Sequence, residues 1–252
     1  MAVRVRRGRK LIDLFLHMER GNLLDIPAGG GKESAHLLQM GYQVVAADLF
    51  PPRIENRAFP RVIVDANVFL PFRSATFDYV LSREGIEHLE NQASFLRECG
   101  RVLKPGGKLI LTAPNVMHLG SRLSHFLIGQ RTLRRGLANE IQTLRSKKEN
   151  KFYHGHIFFL DYFRLRYLLR LSEFDRIEIF TDKYSPTSIA LAWLVPLLFA
   201  ASKLSIKMGG RTARKKGQNG LPMPVLKQIL EHVFSCALLF GKRMIVVAEK
   251  SV

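Results

Sequence analysis

Three groups of residues combine types and spacings suited to chemistry. Gly29, Gly30 and Gly31 follow a short apolar run, and Asp48 closes the next one. Glycines at a strand-to-helix turn let backbone approach a ligand, and an acid about 20 residues on accepts from ribose hydroxyls. That pattern alone suits any nucleotide-type ligand. Asp65-Ala66 ends a further apolar stretch, where a carboxylate faces an exocyclic amine. The third group is His88, with Glu84 and Glu87 just before it, and the pair His154 and His156. Imidazole titrates near neutrality, so His88, His154 and His156 are candidate general bases for an acceptor proton. Each of these side chains also has an ordinary reading, as a turn or cap carboxylate or as a loop histidine. His154 and His156 stand two apart with no Glu-x-x-His or Cys-x-x-Cys beside them, so no metal is expected.

The elements that must hold these residues alternate along the chain. Residues 22–26, 42–48, 61–65, 77–82 and 108–113 read as strands. Phe95, Leu96, Cys99, Val102 and Leu103 fall at helical spacing over 92–103, and Lys104-Pro105-Gly106-Gly107 stops that helix. Strand and helix in alternation predict an α/β fold with a parallel sheet covered by helices on both faces. A helix over 160–171, a sixth strand over 176–180 and a seventh over 243–248 complete the pattern.

Composition narrows the setting. With 252 residues and 47% hydrophobic content the chain can bury a substantial core. Cys99 and Cys236 are the only cysteines and have no metal-ligand spacing, which favours a reducing compartment without disulfides. A formal charge of +18 predicts a polyanionic neighbour, either an anionic membrane surface or nucleic acid.

Three segments lie outside the alternating core. Residues 1–20 form a basic amphipathic lead-in, with Arg4, Arg6, Arg7, Arg9 and Lys10 before an apolar stretch, docked on the domain or on an acidic surface, or simply solvated. Residues 116–151 form a basic insertion that reads as a lid over an acceptor or as a solvated cationic face. Residues 185–241 begin with a 189–201 run broken only by Pro196, continue through Lys203, Lys207 and Arg211, and end in a second amphipathic helix. The apolar run is shorter than the roughly 20 residues needed to span a bilayer. The insertion therefore reads as a helix pair dipping into one leaflet, with packing on the domain or across a dimer as the alternative.

The blocks Leu24-Asp25 to Gly31, Asp48, Asp65-Ala66 to Phe72, Phe77-Asp78 to Leu89, and Leu103 to Gly107, in this order, resemble class I S-adenosylmethionine-dependent methyltransferases. The resemblance covers about residues 20–181 and resumes at the last strand. It implies a seven-stranded Rossmann-like sheet, with 21–184 and 242–252 as the methyltransferase domain and 185–241 as a helical insertion between the last two strands. It also implies S-adenosyl-L-methionine as cofactor. Ala28, Gly29 and Gly31 would pass beneath its methionine part, and Asp48 with Leu49 would hold the ribose. Asp65 and Ala66 would face the adenine, Asp25 would support the loop or reach the sulfonium, and Ser82 to Glu84 would line the methyl-donor side. Pro27 stands where the family usually has glycine.

The function expected from these features is methyl transfer at the inner face of the cytoplasmic membrane. The acceptor would be lipid-linked: a glycolipid, a polysaccharide precursor or a quinone-like hydroxyl. The continuous aliphatic run suits lipid better than the interleaved basic and aromatic residues of an RNA surface. An RNA methyltransferase and a non-catalytic membrane adaptor of the same fold are the alternatives.

Overall fold

The computed structural model describes residues 11–50, 58–131, 143–146, 151–215 and 221–252. The expected basic cluster at residues 4–10 and much of the basic insertion, 132–142 and 147–150, lie outside the described residues. A seven-stranded sheet runs in the order β3-β2-β1-β4-β5-β9-β8. Its strands are β1 (Asn22–Asp25), β2 (Gln43–Asp48), β3 (Arg61–Ile63), β4 (Phe77–Arg83), β5 (Leu103–Pro114), β8 (Phe174–Phe180) and β9 (Arg243–Lys250). The first five pair in parallel, while β9 lies antiparallel between β5 and β8. A parallel sheet must be covered on both faces, and two clusters of buried side chains show that it is.

On one face α3 (Gln92–Val102) and α5 (Tyr162–Leu171) supply Phe95, Leu96, Leu165 and Leu169 against Val80, Leu109 and Val246. On the other, α1 (Leu11–Phe15) and α2 (Lys32–Gln39) pack Leu14, Phe15 and Leu37 against Leu23, Tyr79 and Ile110. The lead-in thus docks on the domain from Leu11 onward. Phe15, Tyr42 and Tyr79 meet edge-on, with centroids 5.6 to 6.4 Å apart, and the Tyr42 hydroxyl donates to the Phe15 carbonyl.

Two local expectations change. The Lys104-Pro105-Gly106-Gly107 stretch ends α3 but forms no separate loop. Leu103 already pairs with Phe77, and a register shift between Phe77 and Tyr79 absorbs the interruption, so β5 starts five residues early. Between β5 and α5 the insertion contains α4 (Leu119–Ile128) and a hairpin of β6 (Thr143–Ser146) and β7 (Lys151–His154).

The segment between β8 and β9 is helical, as expected, but its two long parts behave differently. It holds α6 (Pro186–Ala190), a 3-10 turn at Ala192–Leu194, α7 (Val195–Lys215), α8 (Met223–Val233) and α9 (Cys236–Phe240). Its ends meet at the sheet: Lys242 donates its N–H to the Lys183 carbonyl, and Tyr184 bridges to Gly241. The stretches Ala192–Thr212 and Met223–Phe240 are each long and apolar enough to cross a membrane by length and composition. Helicity carried on past the 189–201 run explains why the first is longer than the sequence suggested. Yet α8 docks on α5, through Tyr162 to His232 at 2.9 Å and Arg166 to Gln228 at 2.8 Å, and buries Val233. Ser235 then caps α9 and breaks the long amphipathic helix expected there. None of the Ala192–Thr212 stretch is fully buried: the start of α7 rests on the domain through Val195, Leu198 and Phe199, which meets Phe234 edge-on at 5.0 Å, while Leu204 and Met208 further along are exposed.

Candidate active site

The loop after β1 is built by residues that tolerate unusual backbone. Gly29 and Gly31 have φ of +53° and +74°, in the left-handed region that favours glycine. A Cβ on Gly29 or Gly30 would meet nothing within 4 Å, whereas one on Gly31 would strike the Arg61 guanidinium and lie 3.1 Å from Phe59. The first two therefore face open space and the third is fixed by packing. Pro27 also finds its place. Its peptide is cis, and its ring lies against Gly85, where a Cβ would come 2.7 Å from the proline Cγ.

The carboxylates divide by role. Asp48, at the end of β2, accepts from the Gly29 N–H at 2.7 Å and the Phe50 N–H at 3.0 Å. It joins the glycine loop to the second strand end, with Leu49 half-buried beside it and Ala28 tied to the Ala47 carbonyl at 2.9 Å. Asp25 is fully buried and takes a 2.5 Å hydrogen bond from the Ser34 hydroxyl. Burial pushes its pKa up to about 7, against the lowering effect of Ser34. It supports the loop from below, through Ser34 at the start of α2. Asp65 accepts from the Asn67 N–H at 2.9 Å in a turn, and Ala66 packs on the core. Ser82 is fully buried.

Across the strand ends runs an aromatic bridge that the sequence did not reveal. The Tyr153 ring stacks on His88 at 5.0 Å and meets Phe50 edge-on at 5.9 Å. Phe50 follows β2 and His88 follows β4, so the bridge passes over the end of β1, where the glycine loop lies. Burial, then the charges of Glu87 and Asp48, raises the Tyr153 pKa.

The histidines separate. His88 Nδ1–H donates to the His154 carbonyl at 2.5 Å, while His154 Nε2–H donates to Glu90 at 2.5 Å. The structure does not bring His154 to the acceptor side; it ties the β7 segment to the turn after β4. His156 lies 3.7 Å from Glu87 and edge-on to His88 at 4.8 Å. Glu87 is buried, and burial, then Glu84, pushes its pKa up to about 8. The sequence placed Glu87 beside His88 but carried no signal that His156 joins them.

His156 and Glu84 open into a cavity of about 540 Å³ at the ends of β4, β5 and β9. His118 and Ser124 of α4, Ser185 to Thr187 at the start of α6, Asp182, Lys183 and Arg243 complete its wall. Glu84 sits at φ +49° and is held by Thr112, whose hydroxyl accepts from the Glu84 N–H at 3.0 Å and donates to its carboxylate at 3.2 Å. Asp182 pairs with Arg243, and His118 with Ser188 at 2.8 Å. Burial, with Arg131, Lys242 and Arg122 nearby, lowers the His118 pKa to about 4. These groups come from segments outside the motif blocks, so nothing in the sequence marked them.

Residues 24–111 match the methyltransferase domain family. That stretch carries a methyltransferase domain. Within the curated proteins, the domain is 33% identical over 109 residues to a ubiquinone biosynthesis O-methyltransferase of Xanthomonas oryzae, covering 40% of this chain and 46% of that protein. It is 35% identical over 98 residues to a probable S-adenosylmethionine-dependent methyltransferase of Mycobacterium tuberculosis, covering 37% and 36%. The chain thus spans less than half the length of these relatives. Among solved structures, a SAM-dependent methyltransferase from Archaeoglobus fulgidus shares the fold at a TM-score of 0.54 and 16% identity, covering 92% of this chain and 86% of that one. One from Methanosarcina mazei does so at 0.51 and 17%, covering 95% and 97%. The Mycobacterium tuberculosis relative is named for dependence on S-adenosylmethionine. The open space at Gly29 and Gly30 and the carboxylate of Asp48 at the next strand end fit it.

Proposed function

We propose that this chain is an S-adenosylmethionine-dependent O-methyltransferase that takes a lipid-linked hydroxyl at an anionic membrane surface, on the inner face of the cytoplasmic membrane. One observation supports the lipid part above all: the elements that wall the cavity continue into exposed apolar surface. On α4, Ser124 lines the cavity while Phe126 and Leu127, next along the helix, are 86% and 57% exposed. Beyond α6, Trp193, Leu197, Leu204 and Met208 are exposed, the last three on one stripe of α7, with Lys203 and Lys207 among them. Such a surface buries its apolar residues among acyl chains and sets its cations at anionic headgroups. The name of the Xanthomonas relative, an O-methyltransferase of ubiquinone biosynthesis, supports oxygen as the acceptor atom and a lipid as its carrier.

The bound cofactor supplies a methyl group on a positively charged sulfur. The protein's part is alignment, exclusion of water and removal of the acceptor proton. Asp48 and the glycine loop would hold the donor beneath the Phe50–Tyr153–His88 bridge, and Glu84 borders the cavity. The acceptor hydroxyl enters from the α4 and α6 side and loses its proton at the His156 end.

Incubating a membrane extract with methyl-labelled cofactor and the protein, then separating lipid, glycan and RNA, tests this reading. Label in an organic-extractable lipid is expected. Label confined to RNA, or to water-soluble molecules alone, would contradict it.

A further inference from the structure

We propose that Glu87, His88 and His156 bind one divalent transition-metal cation of the zinc class beside the acceptor cavity. One ligand atom from each, a carboxylate oxygen and two imidazole nitrogens, can be chosen so that all lie within 4.8 Å of one another. Tetrahedral ligands at about 2.1 Å from a cation stand about 3.4 Å apart, so modest side-chain rotation closes the set. The separation of His156 Nδ1 from Glu87 Oε1, 3.7 Å, is already near that value.

Two observations independent of the clustering point to a cation. The Glu87 carboxylate is 1% exposed, and neither of its oxygens has a hydrogen-bond partner. A buried carboxyl left so must hold either a proton or a cation, and the two histidines beside it offer the further ligands a cation needs. His88, in turn, gives its Nδ1–H to the His154 carbonyl. That bond fixes the tautomer and leaves the Nε2 lone pair available, the arrangement in which protein histidines ligate metals. Arg131 and Arg243 lie near enough to act on Glu87, but Asp182 pairs with Arg243 and Phe159 stacks on Arg131, while Glu84 adds negative charge. Two nitrogens and one carboxylate suit zinc, cobalt or nickel, whereas magnesium prefers oxygen alone.

His154 and His156 show no metal spacing in the sequence because His154 is not a ligand. The site joins His156, just past β7, to the Glu-His pair that follows β4, far earlier in the chain. Because His156 also lines the cavity, the open coordination position faces the acceptor. The role there rests on the function proposed above. A hydroxyl bound to the cation ionises more readily, its oxygen forms the bond to the methyl carbon, and the carbon–sulfur bond breaks with its electron pair going to sulfur. The hydroxyl proton leaves to solvent.

The full-length protein, stripped with chelator, should be titrated with cobalt(II) by visible absorption and with zinc(II) by calorimetry, without cofactor or acceptor. One equivalent is expected, with visible ligand-field bands, and magnesium should not compete. Glu87→Gln and His156→Ala, each verified as folded by its melting transition, should weaken binding at least tenfold, while His36→Ala, on the exposed face of α2, should not. No saturable binding, or equal affinity in all three variants, would overturn the site. Metal binding without label in lipid would instead leave the site standing and remove the proposed acceptor.

Discussion

At the scale of single residues, the balance at the donor site is set by what each carboxylate touches. Asp48 is held by two backbone N–H groups at a strand end, whereas Asp25 is sealed beneath the loop with Ser34. With a folded pKa of about 7 against 3.8 in the open chain, Asp25 binds a proton in the native state that the unfolded chain has already released. Stability contributed by this group therefore falls as pH rises from about 4 to about 7, and levels off above. Replacing Asp25 by Asn should flatten that segment of the curve of melting temperature against pH. An unchanged slope would show that Asp25 ionises normally in the fold. The sequence located both acids correctly by their place at strand ends. It could not tell them apart, because burial comes from α2 folding over the loop.

Elements explain the residue that sequence motifs left without a role. Pro27 sits against Gly85 in the turn after β4, so the two loops interlock through a ring and a missing Cβ. Gly85→Ala should cost roughly 1–3 kcal/mol by overpacking, seen as a lower urea midpoint with unchanged slope. The strands, the helix α3 and the order of the sheet were legible because hydrophobic alternation and turn residues coincide in each. The hairpin β6–β7 was not, since each of its strands is only four residues long, too short to show a period. Nor was the docking of α8, where Tyr162 and His232 meet across 70 residues. By contrast, α7 has the exposed stripe its sequence suggested. Leu197→Glu with Leu204→Glu should lower partitioning onto anionic liposomes at least tenfold, since each buried leucine contributes about 1.5–3 kcal/mol. The melting temperature should not move, because neither side chain packs on the domain. A fall in stability without loss of lipid binding would mean that α7 covers protein.

For the whole molecule, the +18 charge and the apolar helices are two parts of one surface property. On the proposed function, anionic lipid would attract the first and acyl chains would accept the second. Binding to anionic vesicles should therefore weaken as salt rises but persist in part at high salt, where a purely electrostatic contact would vanish. Flotation at increasing ionic strength measures this, and complete release at high salt would leave the apolar surface without its proposed partner. The sheet places the donor loop, the aromatic bridge and the cavity at one end, and both insertions emerge there from β5 and β8. A sequence lists those segments far apart, and only the crossing of β9 between β5 and β8 brings them together.

All of this depends on a working donor site, which calorimetric titration with S-adenosyl-L-methionine tests directly. The account predicts saturable one-to-one binding, weakened roughly 10- to 100-fold in Asp48→Ala, or about 1.4–2.8 kcal/mol. No binding to the folded wild-type protein at millimolar cofactor would contradict it.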